Sequence, residues 1–162
     1  MRRNLVIAAI AATAACGLGA TPAAAAVTGP AAPVAVSAPA LGTRCTTVKS
    51  DVPVRIGVIC ITVIRQGPQW RAEVSFKAGS GSLRQVSVRN LRLLVAGRVE
   101  ERTGRVIKEV MGRSDAVPSN WWEDDLSNGL ARAAVYNACM SWAGGGRACT
   151  GNHWFYSMTV RL

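Results

Sequence analysis

The 162-residue chain holds one histidine, His153, and its only lysines are Lys49, Lys77 and Lys108. No Gly-x-Ser-x-Gly elbow appears, so nothing in the sequence marks a nucleophilic serine. No Cys-x-x-Cys pair occurs, and a lone histidine cannot complete a second ligand pair, so no metal site is expected. Gly144-Gly145-Gly146-Arg147 has the glycines of a phosphate loop without its Lys-Ser/Thr end. There is no internal repeat. Beyond the first fifteen residues no segment offers the roughly 20 apolar residues that a membrane-spanning helix needs. The nine carboxylates are scattered, and nothing fixes two of them across a cleft for glycosidase chemistry. No cofactor is expected.

What is present begins with an export signal. Met1-Arg2-Arg3-Asn4 precedes an uncharged apolar run from Leu5 to Ala15, and Ala24 and Ala26 suit signal peptidase. A signal peptide over 1–26 and a secreted product of a GC-rich bacterial genome are expected. Thr13-Ala14-Ala15-Cys16 offers the alternative of a lipoprotein anchored through Cys16, although the usual leucine is missing. Residues 27–43, with Pro30, Pro33 and Pro39, read as a disordered Ala/Pro-rich linker. The remainder, 44–162, is one domain by size. Its four cysteines, in an oxidising compartment, are expected to pair locally as Cys45–Cys60 and Cys139–Cys149.

The fold class is read as all-β and mainly antiparallel, a sandwich or barrel-like domain with two disulfides and at most one short helix. "WRAEVSFKA" alternates with a period of two, which gives one buried and one wet face. Residues 83–89 resume the alternation after "GSGS". Its phase slips around Asn90, where a bulge would restore a common face. "VPVRIGVICITVIR" reads as a central strand covered on both faces. The segment 105–112 is either the return arm of a hairpin turning at Thr103-Gly104 or a short helix. Residues 130–142 are read as strand over helix. Trp154, Tyr156, Met158, Val160 and Leu162 predict a last strand that runs to the final residue.

The formal net charge is +10, and arginines crowd between residues 84 and 113. Such an excess attracts anionic wall polymers or lipid headgroups through long-range, salt-sensitive forces. The basic residues are not interleaved with aromatics in a known motif, and no nucleic-acid role is expected.

The best single place to look for a site is Trp121-Trp122-Glu123-Asp124-Asp125. Adjacent residues of an extended chain face opposite ways, so the two tryptophans cannot both enter the core. The alternatives are a short helical turn capped by Asn120, a sugar or peptide contact, and a crowded set of oxygens for calcium that lacks the usual loop spacing. His153 completes the candidate ligand-binding set. The function expected is a non-catalytic binding domain for an anionic wall polymer, a glycan or a protein. The alternatives are a small secreted hydrolase using His153 and an inhibitor of an exported enzyme.

Overall fold

The computed structural model describes residues 38–123 and 129–161. The expected leader, Cys16 and the linker up to residue 37 lie outside the described residues, as do Asp124, Asp125 and Leu162.

Every helix-or-strand element among the described residues is a strand, and the sheets do not close into a barrel. In the first sheet β1 (Ala40–Ser50), β2 (Arg55–Gln66) and β3 (Gln69–Ala78) form an antiparallel meander. Along the other edge of β3 run β6 (Ser114–Pro118) and the two-residue β7 (Trp122–Glu123). The second sheet is built on β4 (Leu83–Val95), with β5 (Arg98–Gly112) along one edge. Its other edge is shared by β8 (Leu130–Val135) and β9 (Asn137–Trp142). β10 (Arg147–Cys149) pairs with β9, while β11 (Phe155–Tyr156) and β12 (Val160–Arg161) pair with β8.

Alternation explains which faces meet. Trp70, Ala72, Val74, Phe76 and Ala78 are all buried, and the intervening residues of β3 are not. Ile59, Ile61 and Val63 of β2 join them. From the second sheet Val86, Val88, Leu91 and Leu93 of β4, with Met140 and Trp142 of β9, complete one apolar cluster. Two sheets, each apolar on one face, bury those faces against each other.

Both disulfides form as expected, Cys45–Cys60 and Cys139–Cys149. Each joins residues directly opposite in the ladder. Their parity puts them on the outer faces, away from the core cluster.

Several details differ from the sequence reading. β1 starts at Ala40, inside the segment assigned to the linker, because Leu41 packs on the core and its carbonyl accepts from the Thr62 hydroxyl. The central strand starts at Arg55, and Val52 and Val54 are exposed. The Ser50 hydroxyl organises a turn there, donating to the Pro53 carbonyl and accepting from the Arg55 N–H. The outer side of β2 is only partly covered, with Val58 and Cys60 half-buried. The β4–β5 hairpin turns at Ala96-Gly97, and β5 runs straight through Thr103-Gly104. Both turn residues have positive φ, 48° and 82°, as the tight two-residue hairpin requires. Segment 105–112 is therefore strand. The final segment is broken into β11 and β12, with Phe155 and Ser157 inward and Trp154 and Tyr156 on the other side.

Candidate functional site

Residues three apart on a regular strand point to opposite faces. Arg89 and Arg92 of β4 would then be divided between core and solvent. Asn90 prevents this. Its φ of 53° lies in the left-handed region, which asparagine tolerates better than most side chains. Val88 and Leu91 both face inward, and the two arginines share the outer face. The expected bulge is not the device. The ladder keeps its register across Asn90, with Arg89 opposite Arg105 and Arg92 opposite Arg102. The neighbouring strand breaks at the same level. Tyr136, between β8 and β9, donates its N–H to the Arg89 carbonyl at 3.1 Å, while Val135 and Ala138 both point inward.

This arrangement gathers arginines and aromatic rings on the outer face of the second sheet. The guanidinium of Arg92 lies 4.3 Å from the Trp154 ring centre, that of Arg132 lies 4.7 Å from Tyr156, and that of Arg89 lies 5.6 Å from Tyr136. The rings touch each other too, with Tyr136 edge-on to Trp154 at 5.6 Å and Tyr156 tilted beside it at 6.4 Å. Stacking of this kind holds a planar guanidinium while leaving N–H groups at its edge able to donate.

Beside this ladder lies a cleft of about 520 Å³ lined by Ser87, Val88, Arg89, Arg105, Asn137, Arg147 and Asn152. Three guanidiniums converge there with two amides and a hydroxyl, and no described carboxylate lines it. Asn137 is held by donating from Nδ2 to the Gly151 carbonyl at 2.8 Å and to Asn152 Oδ1 at 3.2 Å. The described ion pairs lie elsewhere, Arg71–Glu73 at 2.8 Å and Lys108–Asp115 at 2.6 Å. Among the described residues with a ladder partner, Glu109 is the carboxylate set opposite an outward residue of β4, Gln85. At Asp115, burial pushes the carboxyl pKa up. The Lys108 ammonium and the Ala116 N–H outweigh that and leave it below its ordinary value.

Of the residues singled out from sequence, Trp121, Trp122 and Glu123 lie beside β3 of the first sheet, whereas His153 sits between Asn152 of the cleft and Trp154 of the ladder. Trp122 pairs across from Trp70 and packs against the core, while Trp121 is half-buried with the Arg71 guanidinium 4.4 Å above its ring. Trp122–Glu123 is strand, so no helical turn runs from Asn120 through Glu123, and the opposed tryptophans follow from strand geometry. Glu123 is exposed. His153 is exposed between β10 and β11, its imidazole against Gly151. Among the described residues it makes no ion pair with a carboxylate, and none of the four best-formed clefts is lined by both His153 and Trp121 or Trp122. No group of three described His, Cys, Asp or Glu side chains is placed to hold a metal ion. No described helix is long and apolar enough to cross a membrane.

Sequence reasoning located the arginine-rich stretch and missed its partners. Tyr136, Trp154, Tyr156, Arg132 and Arg147 come from distant segments, and only strand pairing interleaves them with Arg89 and Arg92. The available signal was parity, since Trp154 and Tyr156 share one face of the last segment. No family model, curated protein or solved structure matches the chain.

Proposed function

We propose that this is a secreted, non-catalytic binding domain that holds an anionic extracellular polymer on the outer face of its second sheet. The leader over 1–26 delivers it, and two disulfides suit an oxidising compartment. One observation carries the reading. Arg89, Arg105 and Arg147 converge on a cleft that no described carboxylate lines, and the arginine–aromatic ladder extends that basic surface along β4 and β8. A cleft lined by one sign of charge concentrates ligands of the other sign.

The test is tryptophan fluorescence of the folded protein titrated with polyanions at low and high salt. Trp154 sits within the ladder and reports on it. Binding that weakens steeply as salt rises is expected. A flat response to every polyanion by a protein shown to be folded would contradict the proposal.

A further inference from the structure

We propose that the cross-strand pairs Arg89/Arg105 and Arg92/Arg102 are two subsites, each holding one tetrahedral oxyanion of a linear polymer that lies along β4. The groups are phosphate or sulfate esters. This rests on the outer face being the binding surface and adds the chemical class of the ligand.

Like charges directly opposite on neighbouring strands, with Cβ atoms about 5 Å apart, destabilise a sheet. The chain sets two such pairs in successive rows, and none of the four arginines takes part in a described ion pair. An oxyanion between the two guanidiniums of a pair relieves that repulsion. The inner member of each pair is already stacked, Arg89 on Tyr136 and Arg92 on Trp154, so less side-chain freedom is lost on binding. The outer members, Arg102 and Arg105, are exposed on the edge strand and free to close over a ligand. Among the described residues Arg102 makes only a long 3.5 Å contact to Asn90 Oδ1.

Geometry selects the ligand class. A planar carboxylate satisfies one guanidinium fork side-on. A tetrahedral ester spreads its oxygens in three dimensions and meets two forks at once. The rows are three residues apart on both strands, which spaces the subsites by about 10 Å. Rings with one face already covered by guanidinium make poor platforms for sugars or bases, so recognition falls on the charged groups.

The experiment titrates the folded full-length mature protein with dextran sulfate, dextran phosphate and polygalacturonate at matched charge concentration. Two variants are compared with it. Arg102→Gln/Arg105→Gln removes the exposed halves of both pairs. Lys49→Gln/Lys77→Gln removes two exposed charges from the first sheet. At least one of the two esters is expected to bind about tenfold or more tighter than polygalacturonate, and the preferred one identifies the group. The arginine variant should lose about tenfold or more in affinity for that ester, and the lysine variant about twofold or less. Polygalacturonate binding as tightly as both esters, or equal losses in the two variants, would overturn the paired-subsite proposal and leave a general anion-binding surface standing. No binding of any polyanion by the wild type would remove that surface reading as well.

Discussion

Ser119 and Ser157 are buried and solve one problem in the same way at two places. Each donates its N–H to a carbonyl of the neighbouring strand, Ala72 for Ser119 and Ala133 for Ser157. Each takes the N–H of that same alanine on its hydroxyl oxygen, at 3.0 Å and 2.8 Å. Each hydroxyl then donates to the carbonyl of the next residue. The serine side chain stands in for a backbone acceptor where a strand breaks. Ser119→Ala or Ser157→Ala leaves a buried N–H unpaired and should cost about 1–3 kcal/mol, read from denaturant unfolding. Ala96 is the opposite case. It holds φ of 48° in an exposed two-residue turn where asparagine or glycine is preferred. Ala96→Asn should raise stability by about 0.5–1 kcal/mol in the same measurement. Asp115 supplies a pH signature. Its pKa is depressed in the folded state, so its contribution is full above the ordinary carboxylate range and is lost as pH falls through the folded value. Melting curves of wild type and Asp115→Asn should differ at neutral pH and converge in acid. None of these roles was legible in the sequence, because a serine, an alanine or an aspartate does not announce the backbone partner it will meet.

Strands were the level at which the sequence spoke most clearly. The alternation of "WRAEVSFKA" names the five buried residues of β3, since a period of two admits only one inward set. Where the period slips, sequence shows the slip and hides its cause. At Asn90 the expected extra residue is replaced by a left-handed one, and at 157–159 a break reverses the parity of the last segment. Thr103-Gly104 reads as a turn in the sequence because local preference ignores the pairing of β4 with β5 over its full length. The Cys139–Cys149 bridge braces the hairpin that carries Arg147 into the cleft. Cys139→Ala/Cys149→Ala should lower unfolding stability by about 2–4 kcal/mol. It should also raise hydrogen exchange in β10 more than in β3, because the cross-link is the main restraint on a three-residue edge strand.

At the scale of the molecule, composition gave the positive excess and pairing decides where it is displayed. Arginines that crowd between residues 84 and 113 divide by position. Arg89, Arg92, Arg102 and Arg105 reach the outer face of the second sheet, whereas Arg113 donates to the Gly79 carbonyl where the chain crosses between sheets. Arg132 and Arg147 join that face from segments far along the chain. The tryptophan pair drew attention in the sequence through its composition, yet Trp122 serves the core and Trp121 is covered by Arg71. The proposed binding face and the tryptophan pair lie on different sheets, and a single experiment separates the two places. NMR of the isotopically labelled mature protein, titrated with dextran sulfate, should shift the Trp154 indole N–H together with the side-chain Nε–H signals of Arg89, Arg92, Arg102 and Arg105. Shifts centred instead on Trp121, Trp122 and Arg71, with those signals unmoved, would contradict the account.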